Sequence, residues 1–175
     1  MIGIEFKQHE VNKFLKCLFK NIDLSKYSFL FLEDELYDNE NPDFREFGIN
    51  DYPDDFDEFL ERNYYIIFLA MQVYLKGSNI GVINNYEDFL KSTCQLIVLI
   101  VDAECFEVYF KDLDLQNQII KNIESLNIDY KIKTVDNDTR YSMHINWLFF
   151  SIKINYNCDF NIILYQLCIV YSKLF

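Results

Sequence analysis

Two nearly continuous apolar runs constrain the fold of this chain more than any other feature. They are YYIIFLAMQVYL at Tyr64–Leu75 and CQLIVLIV at Cys94–Val101. Runs with so few polar residues are typical of strands that are buried on both faces of a sheet. The first run is also long enough for a helix, and periodicity alone does not decide between the two. We expect both runs to be strands in the interior of a sheet.

Shorter patterns on either side of these runs predict the remaining elements. MIGIEF, KYSFLFLEDELY and ECFEVYFKD predict strands, the second of them either a single strand or a hairpin. Apolar spacing predicts helices over residues 11–22 and 115–126, and NYEDFLKST predicts a shorter one. IDYKIKTV and RYSMHINW both alternate and are joined by DNDT, which predicts a β-hairpin. The fold class is therefore α+β: a mixed, largely antiparallel sheet of about six strands with three to four helices packed on it.

The length of 175 residues fits one domain with a substantial core, which we expect over residues 1–147. Residues 148–175 differ, because they are mostly apolar and contain only Lys153, Asp159 and Lys173 as charged residues. Their most apolar stretch, residues 160–171, contains Asn161 and Gln166 and is shorter than the roughly 20 residues that a membrane span needs. They are expected to form an apolar C-terminal extension that packs in a core or between copies of the chain, a role favoured over membrane contact.

The cysteines and the first residues indicate the compartment. Five cysteines occur without a Cys-x-x-Cys pair and without metal-finger spacing to His9 or His144, so reduced, mostly buried thiols are expected. MIGIEFKQHE lacks the basic and apolar regions of a signal peptide. Together these features predict a cytoplasmic protein.

The net charge of −12 is concentrated in one segment. Residues 33–61 contain 13 acidic residues and a single basic residue, Arg45, and subtracting them from totals of 28 acids and 16 bases leaves 15 of each elsewhere. Such a local field repels nucleic acid and acidic membrane surfaces and can steer a cationic partner. Direct nucleic-acid binding is therefore not expected.

The favoured hypothesis is a non-enzymatic interaction module that uses the acidic and aromatic surface of residues 33–61 to bind a basic protein partner. An immunity-type protein that blocks a basic toxin would be one such case. A helix is expected from about Pro53, with Phe56, Phe59 and Leu60 on its apolar face. The candidate partner-binding residues are Tyr52, Asp54, Asp55, Phe56, Asp57 and Glu58.

Two alternatives remain open. The first is a small-molecule binder or enzyme, because Arg140, Ser142 and His144 share one face of an alternating segment and Asp102 follows a buried run. The second is a structural protein that assembles through residues 148–175 into an oligomer. Whether the chain is an enzyme stays open. The sequence slightly favours a protein without catalytic activity, because His9 and His144 are the only imidazole bases that could activate a nucleophile.

Metal and cofactor sites are not predicted. No frame beginning at Asp34, Asp38, Asp51 or Asp136 supplies the alternating ligands, the glycine and the final glutamate of an EF-hand loop. The four glycines are too scattered for a phosphate-binding loop. The clustered carboxylates are better explained as a solvated helix face.

NYEDFLKSTCQLIVLIVDAECFEVYFKD and DNDTRYSM resemble an uncharacterised domain-of-unknown-function family of low-GC, spore-forming bacteria. The family pattern has a tyrosine, a Phe-Leu pair, Ser-x-Cys, an apolar strand, an aspartate and Tyr-x-Lys. The matching residues are Tyr86, Phe89, Leu90, Ser92, Cys94, Asp102, Tyr109 and Lys111. The resemblance covers residues 1–147, including GIEF, IDLSKY and EDELYD, and implies a small cytoplasmic α+β protein without a known activity.

Overall fold

A computed structural model of the chain describes residues 1–8, 14–38, 44–45, 56–61, 64–81, 83–136, 138, 142–143 and 145. The predicted extension at residues 148–175 and its boundary with the domain lie outside these residues.

The described strands form one antiparallel sheet. Its order is β3-β2-β4-β5-β6-β1-β7, and every pair of neighbours is antiparallel. The strands are β1 (Gly3–Lys7), β2 (Tyr27–Asp38), β3 (Phe44–Arg45), β4 (Tyr64–Leu75), β5 (Cys94–Val101), β6 (Cys105–Phe110) and β7 (Tyr130–Lys133). The predicted α+β class is confirmed. The seventh strand is β3, which forms in a segment where asparagine, proline and glycine predict a loop.

Four α-helices accompany the sheet in the described residues. They are α1 (Phe14–Leu18), α2 (Phe56–Glu61), α3 (Tyr86–Lys91) and α4 (Leu113–Ser125). The start of α4 is fixed by Asp112, whose side chain accepts a hydrogen bond of 2.8 Å from the Leu115 amide. The described helix α1 ends earlier than the predicted helix over residues 11–22, because Asn21 has a φ of 61°. Asparagine tolerates this left-handed conformation, which ends a helix.

Both faces of the sheet are buried at its centre, as the two apolar runs predict. On the first face, Leu69 and Met71 of β4 lie in the core together with the apolar residues of α1, α2 and α4. On the second face, Ala70 and Gln72 of β4 are also buried, and Phe89 of α3 is buried as well. Side chains alternate between the faces of a strand, so a strand covered on both sides has no polar alternation.

The predicted β-hairpin is not seen in the described residues. β7 pairs with β1 there. Ser142, Met143 and Ile145, the described residues of the second predicted strand, are not in a strand. Met143 donates its backbone N–H to the Asn84 carbonyl at 2.9 Å, and both Met143 and Ile145 are buried. The alternating residues Met143 and Ile145 are therefore core residues, although neither lies in a strand.

The turn between β5 and β6 requires left-handed backbone at two residues that are not glycine. Asp102 has a φ of 54° and Ala103 a φ of 57°, and the Glu104 amide donates to the Val101 carbonyl at 3.3 Å. This is the pattern of a type I′ turn, which favours Asn and Gly at its centre. The Ala103 amide also donates to the Ile67 carbonyl at 2.9 Å, so the turn is fixed to β4.

We expect Ala103→Gly to stabilise the protein by about 0.5–1 kcal/mol, because glycine adopts positive φ without the steric cost that alanine pays. The free energy of unfolding in urea would measure this gain. Ala70→Gly is the matched control, because Ala70 lies in the middle of β4. This substitution should lower the free energy of unfolding by about the same amount. Destabilisation by both substitutions would contradict the strained turn.

Candidate functional site

The acidic helix α2 is divided cleanly between a buried and an exposed side. Phe56, Phe59 and Leu60 are buried, whereas Asp57, Glu58 and Glu61 are exposed. Phe56 is 6 % exposed, and its ring stacks on Phe29 with the ring centroids 3.6 Å apart. The predicted apolar underside and solvated carboxylates of this helix are confirmed.

Phe56 is therefore a core residue, and its prediction as a partner-binding residue needs correction. Phe19 meets its ring edge-on at 5.5 Å, and Phe31 does so at 6.3 Å. A side chain enclosed in this way cannot contact a partner without leaving the core. Its role is to fix α2 on the first face of the sheet.

Asp57 and Glu58 lie on the exposed side of α2, and their binding of a partner stays a prediction. Tyr52, Asp54 and Asp55 lie outside the described residues, so their part in this surface stays a prediction.

The aromatic side chains of the acidic segment do not all share the side of α2. Leu36 belongs to the core of the first face, so Tyr37 next to it points to the second face. Tyr37 pairs across the strands with Tyr65, which is 41 % exposed. These tyrosines therefore lie on the face of the sheet opposite α2. Within the described residues of the segment 33–61, Tyr37 therefore lies on the opposite face from α2.

Helix α1 places a cation against α2. The Lys16 ammonium Nζ lies 2.6 Å from Glu61 Oε1 and 2.7 Å from Glu61 Oε2, so it bonds to both oxygens. Asp57 and Glu58 precede Glu61 on the same exposed side. The acidic surface of α2 thus carries one ammonium supplied by the protein itself.

The predicted small-molecule residues have different surroundings. Asp102 lies in the β5–β6 turn, where partial burial and then the charge of Glu104 raise the pKa of its carboxyl. Ser142 is half-buried beside Met143, which is bonded to Asn84 just before α3. Arg140 and His144 lie outside the described residues. This site therefore stays a prediction.

A buried cluster of charges on the second face was not predicted. Lys133 of β7 is 7 % exposed, and its Nζ lies 2.8 Å from Glu107, 3.1 Å from Asp138 and 3.5 Å from Glu5. The Tyr109 hydroxyl lies 2.9 Å from Glu107 and 3.2 Å from Asp138, and its single hydrogen can be donated to one of them at a time. We call Glu5, Glu107, Tyr109, Lys133 and Asp138 the Lys133 cluster.

Gly3 makes room for this cluster. The register places Gly3 between Tyr109 on β6 and Lys133 on β7. A Cβ at Gly3 would lie 2.5 Å from the Val108 carbonyl oxygen and 3.3 Å from the Tyr109 ring. Without that atom, the Lys133 ammonium approaches to 5.4 Å from the centre of the Tyr109 ring. A cation over an aromatic face at this distance is attractive.

The electrostatics of the Lys133 cluster favour a structural ion pair over a catalytic base. Burial alone would lower the pKa of the Lys133 ammonium, but the hydrogen bonds and charges of Glu107 and Asp138 outweigh burial and raise that pKa. Lysine acts as a nucleophile or base only when its amine is neutral. Lys133 is therefore held protonated, as a donor of charge-assisted hydrogen bonds.

Several residues that carry the family resemblance attach α3 to the sheet. The Lys111 ammonium lies at the C-terminal end of α3, where it donates to the Ser92 carbonyl and, at 3.3 Å, to the Phe89 carbonyl. The Ser92 hydroxyl donates to the Phe89 carbonyl at 2.8 Å and accepts from the Cys94 amide at 3.1 Å. A cation at the C-terminal end of a helix is stabilising. These contacts give Ser92 and Lys111, two residues of the family pattern, a structural role.

The buried Cys94 thiol is not activated. Burial raises the pKa of Cys94 to about 12, so the thiolate that reacts with electrophiles is scarce at neutral pH. Cys17 and Cys105 are also free thiols and are half-buried. Cys158 and Cys168 lie outside the described residues.

Within the described ranges, no group of three or more His, Cys, Asp or Glu side chains could hold a metal ion. No helix in the described part of the chain is long and apolar enough to cross a membrane.

Comparisons with known proteins identify relatives of the whole sheet. A family model described as "Protein of unknown function (DUF2691)" matches residues 1–144. The "Uncharacterized protein YncE" of Bacillus subtilis (strain 168) is 28 % identical over 153 residues, which cover 82 % of this chain and 98 % of that protein. No solved structure matches the chain. The matched residues include every described strand and helix.

Proposed function

This chain belongs to the DUF2691 family of proteins of unknown function, and we propose that it is a cytoplasmic, non-enzymatic interaction module that binds a basic protein partner. The observation that carries the proposal is the division of α2. All three of its apolar residues are buried, and all three of its carboxylates are exposed.

The packing of α2 supports a binding role because it fixes the carboxylates in space. A six-residue helix is too short to be stable alone in water. Here Phe56 is stacked on Phe29, and Phe59 meets Phe31 edge-on with the ring centroids 5.0 Å apart. Carboxylates on a packed helix lose less freedom on binding than carboxylates on a mobile loop.

The charge of the surrounding segment supports the same partner class. Residues 33–61 carry the entire formal charge of −12, and a field of one sign raises the association rate of a partner of the opposite sign. A single exposed ion pair contributes only about 0.2–1 kcal/mol. Binding through the acidic surface of α2, within the field of this segment, should therefore involve several charges together and weaken strongly as salt is added.

The experiment uses a fluorescein-labelled decalysine peptide as the probe and fluorescence anisotropy as the readout. The double substitution Asp57→Lys and Glu58→Lys reverses two charges on α2. We expect it to weaken binding about tenfold at low ionic strength, because two attractive contacts become repulsive. For the unchanged protein, binding should weaken as salt rises from about 20 to about 300 mM.

The matched control is Asp129→Lys with Asp136→Lys, which changes the net charge equally at exposed positions far along the chain from α2. This variant should lose no more than about threefold, through the smaller net charge alone. Equal losses in the two variants would show that only net charge matters. Either that result or salt-independent binding would refute a binding role for α2.

A further inference from the structure

The contact between α1 and α2 suggests how binding at the acidic surface is limited. Glu61 is the last residue of α2, and the last turn of that helix has no basic residue of its own. Lys16 supplies the cation from α1, with its ammonium bonded to both Glu61 oxygens. The Lys16 and Glu61 side chains remain 48 % and 66 % exposed, so the pair lies at the surface.

We infer that Lys16 is an internal competitor for the acidic surface of α2, where it occupies a carboxylate that a lysine of the basic partner would otherwise bind. The inference rests on the proposed function. The geometry of the Lys16–Glu61 pair shows that the Glu61 carboxylate accepts a lysine side chain through both of its oxygens.

The two helices are held together by apolar contacts, so breaking the exposed ion pair does not require the helices to separate. Phe14, Leu15 and Leu18 of α1 are buried in the same core as Phe56 and Phe59 of α2. An exposed lysine–carboxylate pair changes an equilibrium by roughly two- to fivefold. A partner that must break this pair binds more weakly by about the same factor, because the free energy of the broken pair is subtracted from the free energy of binding.

The test replaces Lys16 with glutamine and measures binding of the labelled decalysine peptide at low ionic strength. We expect Lys16→Gln to bind about two- to fivefold more tightly than the unchanged protein. Lys121→Gln on α4 is the matched control, because it removes the same charge from another exposed position. It should alter the affinity by less than Lys16→Gln does.

The double variant Lys16→Gln with Glu61→Gln should lose the gain, because it lacks both the competitor and its carboxylate. Equal affinities of Lys16→Gln and Lys121→Gln, with binding still dependent on Asp57 and Glu58, would overturn this inference alone. Binding that depends on none of these residues would overturn the proposed function together with it. Thermal unfolding of each variant checks that the fold is retained.

Discussion

Replacing Lys133 with methionine is expected to destabilise the protein by about 3–5 kcal/mol, the largest effect of any single charge removal in the described structure. The Lys133 ammonium contacts Glu107 and Asp138, whose side chains are only 20 % and 6 % exposed. Without the ammonium, two carboxylates would remain close together with little water to solvate them. Leaving a buried charge uncompensated costs far more than losing a surface ion pair.

The matched control for this prediction is Lys131→Met. Lys131 lies two residues away on β7, is 83 % exposed at its side chain, and pairs with Glu5 at 3.2 Å. Its loss should cost less than about 1 kcal/mol in a urea unfolding experiment. Adding Glu107→Gln and Asp138→Asn to Lys133→Met should recover at least half of the lost stability. Equal losses for the two lysine substitutions would show that the Lys133 cluster is not a buried ion pair.

The contribution of Lys133 should also depend on pH with a defined sign. Burial lowers its pKa from the ordinary value of 10.5, but the hydrogen bonds and charges of Glu107 and Asp138 together outweigh burial, so the pKa is raised in the folded protein. A raised pKa means that the stabilisation is fully present below pH 10.5 and is lost as the pH rises through the folded-state value. The stability difference between the unchanged protein and Lys133→Met should therefore be constant from neutral pH to about pH 9 and shrink above pH 10.5.

The sheet could be predicted because its central strands carry a signal that depends only on local sequence. β4 and β5 are apolar at nearly every position, and this pattern requires cover on both faces. α4 is equally local, since Leu115, Ile119 and Ile123 repeat at helical spacing and Asp112 caps the start.

Pairing between strands that are distant in the chain is harder to predict from the sequence. The segment at residues 130–133 alternates as a strand should, but alternation does not say which strand it joins. One edge of β1 pairs with β6, and its other edge pairs with β7, although β1 and β7 are more than 120 residues apart in the chain. The turn residues DNDT predict a local hairpin, whereas the pairing of β7 in the described residues is with the distant strand β1.

The Lys133 cluster could not be found from the sequence for the same reason. Its members come from β1, β6, β7 and the residue at position 138, and no short motif contains them. Tyr109 is the one member among the individually matched residues of the family pattern. The requirement for glycine at position 3 could not be predicted from the sequence. It arises because β6 and β7 lie on either side of Gly3 and leave no room for a Cβ atom.

Phe56→Ala should have the second large effect. We expect it to lower the free energy of unfolding by about 3–5 kcal/mol and to weaken the affinity for decalysine. The ring fills a space between Phe19, Phe29 and Phe31, so its removal leaves a cavity and takes away the main contact that holds α2. Since α2 is too short to stay helical without packing, its carboxylates would no longer be fixed. Hydrogen exchange of the α2 amides would measure the loss of local order, and anisotropy would measure binding.

Phe106→Ala separates loss of stability from loss of the binding surface. Phe106 is buried in the same core but belongs to β6, where it stacks on Phe6 at 4.9 Å. Both alanine variants should be destabilised comparably, yet under conditions where both remain folded only Phe56→Ala should bind decalysine more weakly. If Phe56→Ala does not fold, Phe56→Leu provides a milder change, with a loss of about 1–2 kcal/mol and a smaller decrease in affinity. Undiminished binding with unprotected α2 amides would mean that a fixed helix is not required, and the partner would then read only the charge of the segment.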